Sequence, residues 1–220
     1  MSFVKHAIFV GSDAPALDDY SAFCEYVLSR ISPASLLITS GICDQLDHAS
    51  PNACFGGKLG VDASVDKSTP APTLLSDDEL LIKFQKISPE ILALRQIFTQ
   101  TKNPITMIKT LKTAPLKELF KRLLAFKEHF KILVFMGSDA RLENHYMNVW
   151  RVTNNIDALR DIFISGEQIG IDATAKNALD GYHRQWPQMT NCTRSVIDGL
   201  IKKGLLDSNS EFFEKFEIFG

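Results

Sequence analysis

The sequence predicts an α/β protein, with duplicated strand-helix-strand-strand units forming a mixed sheet covered by helices and an all-helical insert between the copies. Three observations carry this expectation. AIFVGSDA at 7–14 returns as ILVFMGSDA at 132–140. KLGVDAS at 58–64 returns within QIGIDATAKNALDGYHRQWP at 168–187. Between the copies, residues 77–129 repeat apolar side chains three to four apart, the period of an amphipathic helix.

Taken in order, FVKHAIFV at 3–10 is rich in β-branched and aromatic residues and stops at Gly11-Ser12-Asp13, which reads as a buried strand and a turn. Leu17, Phe23, Tyr26, Val27 and Ile31 follow at helical spacing, and Pro33 lies just past the end, where it breaks no helical hydrogen bond. Leu36 to Thr39 is a short strand closed by Gly41. Residues 42–57 have no period and end in Gly56-Gly57, so they form a loop long enough to need a functional or assembly reason. Residues 58–64 alternate as a strand, and 65–73, with Pro70 and Pro72, read as a surface connector. Ser76 then caps a helix whose first turn holds Asp77, Asp78 and Glu79, acids that suit the positive end of the helix dipole.

In the insert, Pro89, Pro104 and Pro115 each fit the first turn of a new helix, predicting helices over 77–87, 89–100, 104–112 and 115–129. The second copy continues with a helix over 144–154 and a strand over 160–165, and Gly166 matches Gly41. The stretch from Gly41 to Leu59 is 15 residues longer than that from Gly166 to Ile169, so the extra loop belongs to the first copy alone. A helical crossover predicts parallel pairing of the first two strands of each unit. The two units then join side by side or around a pseudo-twofold axis. In the tail, Val196, Ile197, Leu200 and Ile201 give helical spacing, and Phe212, Phe213, Phe216 and Phe219 predict docking onto this chain or a neighbour. The chain thus divides into a first repeat (1–75), the insert (76–130), a second repeat (131–190) and a helical tail (191–220).

Composition excludes more than it assigns. With 45% hydrophobic and 23% charged residues the chain falls in the ordinary globular range, and a formal net charge of -2 argues for neither nucleic acid nor an anionic membrane as partner. The basic residues Lys109, Lys112, Lys117, Lys121, Arg122, Lys127 and Lys131 read as the wet face of helices. No stretch approaches the roughly 18 apolar residues of a membrane helix and no leader pattern is seen, so a cytoplasmic location is the default expectation. Cys24, Cys43, Cys54 and Cys192 form no C-x-x-C pair, and Cys43, His48 and Cys54 are too irregularly spaced to argue for a metal. Phosphate-loop, dinucleotide and nucleophile-elbow motifs are absent. His6, His48, His129, His145 and His183 have no acid at fixed spacing, so no triad is expected. No catalytic, cofactor-binding or metal-binding residue is therefore assigned.

Asp62 and Asp172 end the repeated strand in each copy. Either their carboxylates accept turn N–H groups, the reading that duplication favours, or they await a ligand. Lys58, beside Gly56-Gly57, is either a solvated lysine or a charge offered to a phosphate or carboxylate.

The run LDHASPNACFGGKLGVDAS at 46–64, with KHAIFVGSDA upstream and a helix ending Ser29-Arg30, resembles the C-terminal end of the UbiD-like decarboxylases. VWRVTNNIDALRDIFI at 149–164, with the 168–187 stretch, is similar to the tail of the longer branch associated with menaquinone biosynthesis. The resemblance spans about two thirds of the chain and leaves the insert unmatched. It implies reversible, non-oxidative decarboxylation of aromatic or conjugated acids by prenylated FMN and a divalent metal, in ubiquinone- or menaquinone-type biosynthesis. It also implies that cofactor and catalytic groups lie in preceding domains absent from this chain, and that the C-terminal domain holds subunits together. One of that domain's loops borders the substrate cavity; here it maps to Leu46, Asp47 and His48, with Lys58 following. Ala34-Ser35 stand where the family has Arg-Asp, kept as Arg160-Asp161 in the second copy, and Ser64 replaces Thr. Met1-Ser2 directly ahead of a core strand suggests an excised assembly domain, inactive alone. A free-standing α/β domain that binds a small acid or a protein without catalysis is the rival expectation.

Overall fold

The computed structural model describes residues 3–188, 192–208 and 210–216; Met1, Ser2, Asn191 and Phe219 lie outside these. The first repeat contributes β1 (His6–Val10), α1 (Tyr20–Leu28), β2 (Leu36–Ile42) and β3 (Phe55–Ala63). These strands form a sheet in the order β1-β3-β2, with β1 parallel and β2 antiparallel to β3. The second repeat supplies β6 (Ile132–Met136), α4 (His145–Asn155), α5 (Ala158–Asp161), β7 (Ile162–Ser165) and β8 (Gln168–Asp172) with the same internal order, β6-β8-β7. The third strand of each unit thus slots between the first two, so the parallel partner of the first strand is the third strand and not the second. In the second copy the chain turns straight back from β7 into β8, and in the first the 43–54 loop makes the same return. In both, the third strand pairs antiparallel with the second and occupies the position next to the first.

The insert is not all-helical. It has α2 (Asp77–Ile87) and α3 (Leu116–Leu123), but 91–97 and 105–110, read as helices, are the strands β4 (Ile91–Ile97) and β5 (Ile105–Thr110). Strand β5 pairs in parallel with β6, and β4 antiparallel with β5, giving the five-stranded order β4-β5-β6-β8-β7. Short apolar runs fit either period, and here a free strand edge decides: ITMIKT is β-branched and completes the ladder of β6. The predicted mixed sheet is therefore two mixed sheets, one per repeat, the second enlarged by the insert.

All five residues of β6 are buried, and their alternation builds two layers. Ile132, Val134 and Met136 face the first repeat, packing in one core with Val27, Leu28, Ile31 and Ala63. Leu133 and Phe135 face α2 and α3, packing with Leu80, Phe84, Phe120 and Leu123. Phe120 lies so close over Gly170 that a Cβ there would meet its ring at 2.7 Å.

The basic residues of 109–131 divide. Lys117, Lys121, Arg122 and Lys127 are exposed, as expected. Lys109 instead lies on β5, Lys112 enters a buried ion network, and Lys131 is buried with Nζ donating to Thr69 Oγ1 at 2.8 Å. The tail forms α6 (Arg194–Lys202) and α7 (Ser210–Lys215) and docks on this chain. Phe216 meets the Tyr146 ring edge-on at 4.9 Å, and Asn144 Nδ2 donates to the carbonyls of Glu214 and Lys215.

Candidate functional site

The loop that only the first copy carries is ordered by charge. Lys5 Nζ, at the foot of β1, donates to Asp47 Oδ1 at 2.6 Å. The same carboxylate accepts the Ala49 N–H at 3.1 Å and the Ser50 hydroxyl. Burial alone would raise the Asp47 pKa, but Lys5 and Ser50 outweigh it and hold the group below the usual carboxylate range. Ala49 and Ser50 are fully buried, whereas Leu46, at the tip, is 87% exposed. An apolar side chain so presented on an otherwise braced loop is a surface that can meet a ligand or another chain.

The stretch after β8 clamps this loop from the other repeat. Tyr182 Oη donates to the His48 carbonyl at 2.6 Å, and Arg184 Nη1 donates to the carbonyls of Asp47 at 3.2 Å and Ser50 at 2.9 Å. Trp186 sets its ring perpendicular to the His48 imidazole at 4.8 Å. Burial lowers the His48 pKa below its ordinary value, against the opposing pull of Asn155 and Asp47. A cavity of about 390 Å³ opens between Phe3 and Lys5, the 43–48 segment, and Thr153–Asn154 of α4. Leu46, Asp47 and His48 all line it; Lys58 does not, its Nζ donating instead to the Val4 carbonyl at 2.9 Å.

Gly56 and Gly57 have a structural cause. The Asp157 carboxylate accepts the Gly57 N–H at 2.7 Å while capping α5 through Leu159 N–H at 3.2 Å. A Cβ on Gly57 would lie 2.5 Å from Leu159 N, and one on Gly56 would overlap Ser50. The pair lets β3 pass against the head of α5.

Both repeated aspartates close their own turns. Asp62 Oδ1 accepts Ser64 N–H at 3.1 Å, and Asp172 Oδ1 accepts Thr174 N–H at 2.9 Å. Asp62 also takes Lys67 Nζ at 2.6 Å, and Lys67 with Ser64 lowers its pKa to about 2. Asp172 is buried with Lys112 at 2.9 Å and Lys176 at 2.9 Å, and Lys112 also reaches Asp180 at 2.6 Å. Arg160 holds Asp161 through two hydrogen bonds, whose Oδ2 caps Asp157 N–H at 2.7 Å. In the first copy Ser35 Oγ does this work for Ser32 N–H at 3.2 Å, so the loss of Arg-Asp leaves the cap in place.

Sequence reasoning placed Leu46, Asp47 and His48 correctly in one loop and missed its supports, Lys5, Ser50, Tyr182, Arg184 and Trp186. The last three fall inside the 168–187 stretch, but spacing within one segment carries no sign of a partner over 130 residues away. The divalent metal that the resemblance implies finds no grouped donors among the described residues: no three His, Cys, Asp or Glu side chains group to hold a cation, Cys43 is hydrogen-bonded to Ser50, and the turn aspartates are occupied. No helix of the described residues is long and apolar enough to cross a membrane.

The chain is 47% identical over 220 residues to uncharacterized proteins of two Helicobacter pylori strains, aligning 99% of itself with 36% of each. It thus spans little more than a third of the length of the curated relatives it matches. Among solved structures, vanillic acid decarboxylase of Sedimentibacter hydroxybenzoicus in closed form is 16% identical, covering 58% of this chain and 31% of that one at a TM-score of 0.46. The UbiD-class enzyme HmfF from Pelotomaculum thermopropionicum, in an evolved dimeric form in complex with prFMN, is 12% identical, covering 69% and 41% at 0.41. The family profile that matches is the 3-octaprenyl-4-hydroxybenzoate carboxy-lyase C-terminal domain, over residues 1–63, from the N-terminus to the last residue of β3. Through this segment, the braced 43–50 loop included, the chain is similar to the C-terminal domain of the UbiD decarboxylases.

Proposed function

We propose that the chain is the assembly domain of a prenylated-FMN-dependent, non-oxidative decarboxylase of aromatic acids in quinone biosynthesis, working in the cytoplasm. The cofactor, the divalent metal and the catalytic groups belong to a partner domain outside this chain. The family match over 1–63 carries this reading, because it covers all three strands of the first repeat and the loop whose tip is Leu46. In this reading 1–75 and 131–190 are two copies of one unit, 76–130 an insertion joined to the second copy's sheet, and 191–220 a helical tail whose residues 214–216 pack against the head of α4. The 43–48 segment forms one wall of the substrate cavity: Leu46 presents apolar surface to an aromatic ring, Asp47 stays ionised on Lys5, and His48 is held by Trp186 and Tyr182.

A difference between the copies supports self-association. Phe9 and Leu37 flank Gly60 on the outer face of the first sheet; by register their equivalents are Phe135 and Phe163 around Gly170. Phe135 is 0% and Phe163 7% exposed beneath the insert helices, whereas Phe9 is 49% and Leu37 56% exposed. The same face is covered in one copy and bare in the other, and a second subunit supplies the missing cover. The test of the domain assignment is an FMN titration of the isolated chain with an assay for CO₂ release from aromatic acids. Neither binding nor release is expected, and tight stoichiometric FMN binding contradicts the assignment.

A further inference from the structure

A second cleft, at the β4 edge of the five-stranded sheet, gathers cations that the fold does not use. It has a volume of about 550 Å³ and lies between β4 and the turn that follows β6, lined by Arg95, Lys109 and Arg141 together with Asp77, Ala140 and Glu143. Arg95 and Lys109 are half-buried on neighbouring strands, and Arg141 is exposed on the turn. Among the described residues none of these three has an ion-pair or side-chain hydrogen-bond partner. Of the two acids, Asp77 is already engaged: its Oδ1 accepts Gln96 N–H at 3.2 Å and Gln96 Nε2 at 2.9 Å, in the first turn of α2. Glu143 is exposed.

The backbone holds these cations in place. Lys109 is in register with Met136, at the carboxyl ends of the parallel strands β5 and β6, where the chain leaves the sheet for the turn. Arg95 is fixed opposite Met107. The Arg141 carbonyl accepts the buried Asn148 Nδ2 at 3.1 Å, as does that of Leu142, so the turn is tied to α4. Crevices at the carboxyl ends of parallel strands are where open α/β sheets present ligands, and cations on braced backbone lose little freedom when an anion arrives. Carboxylates and phosphates both match two arginines and a lysine.

We propose that this cleft binds the anionic group, carboxylate or phosphate, of a small organic molecule. The site is separate from the 43–48 cavity, and its fate does not depend on the decarboxylase reading. The test is calorimetric titration of the 220-residue chain with succinate and, separately, with inorganic phosphate, alongside R141Q, K109M and the exposed-surface control K117Q. Binding of one probe at a Kd of about 1 mM or tighter is expected, with R141Q weakening it about fivefold or more and the R141Q/K109M pair further, each lost bond being charge-assisted. K117Q should leave it unchanged, and the probe that binds identifies the anion class. Arg141 is exposed, so R141Q tests the site without threatening the fold. Absence of binding by both probes up to about 10 mM, far weaker than a built site gives, or equal weakening by R141Q and K117Q, overturns the proposal.

Discussion

Asp157, at the head of the second repeat's α5, accepts the backbone N–H of Gly57, in the first repeat's β3, at 2.7 Å. The two copies are thereby locked at the point where the extra loop rejoins the sheet. Gly57→Ala places a Cβ against the Leu159 backbone, which cannot swing aside, and should cost about 1–3 kcal/mol by urea unfolding. Gly41→Ala is the contrast: its Cβ would meet the flexible end of Lys58 at 3.0 Å, so a much smaller change is expected. Equal effects would show that the interlock is not what Gly57 serves.

Lys112 bridges Asp172 and Asp180 in the buried network behind β8. Lys112→Ala leaves two carboxylates in a site with little water, and a loss of about 3–5 kcal/mol is expected. Lys112 is on a connector after β5, so a loss below about 0.5 kcal/mol, the level of an ordinary surface change, would mean that Lys176 suffices for Asp172 and that Asp180 needs no cation.

His6 and His48 are both held below the ordinary histidine pKa of 6.5, burial being the leading cause in each. The unfolded chain therefore binds protons at a pH where the folded one still does not. Stability is full above about pH 7.5, falls as pH drops through 6.5, and reaches its lower plateau below the folded pKa values. Urea midpoints should decline from pH 7.5 to 5.5, and proton NMR should show both imidazoles titrating below 6.5. A midpoint that rises on acidification would reverse the sign and contradict the assigned burial.

Phe9→Asp and Leu37→Asp place charge on the bare face of the first sheet without touching the shared core. Sedimentation should show the unaltered chain associating and both variants shifted to monomer. If association survives both substitutions, the outer face is not the contact. If the unaltered chain is strictly monomeric at high concentration, self-association itself fails.

The duplication was legible because it is written in contiguous residues: GSDA twice, and the Asp-Ala-Thr or Asp-Ala-Ser turn twice. Each motif proved to mark the same local geometry, since Asp62 and Asp172 hold turns of the same form. The insert was misread where local pattern is ambiguous. ILALRQI and ITMIKT suit either a strand or a short helix, and the hydrogen bonding of β5 to β6 and of β4 to β5, a tertiary fact, decides between them. The loop tip was legible by resemblance, its supports were not: Lys5 meets Asp47 across 42 residues and Tyr182 meets His48 across 134, distances at which spacing says nothing.

The most direct test of the central claim, that this domain walls the substrate cavity of a decarboxylase, is CO₂ release by the full-length protein reconstituted with prenylated FMN and a divalent metal. Leu46→Ala removes the exposed tip and leaves Lys5–Asp47 and the Tyr182 clamp intact. The unaltered protein should release CO₂ from an aromatic carboxylic acid, and Leu46→Ala should lower kcat/KM about tenfold or more, as expected when a positioning wall is lost. No CO₂ from any aromatic or conjugated acid, or the same kcat/KM for Leu46→Ala, would contradict the account.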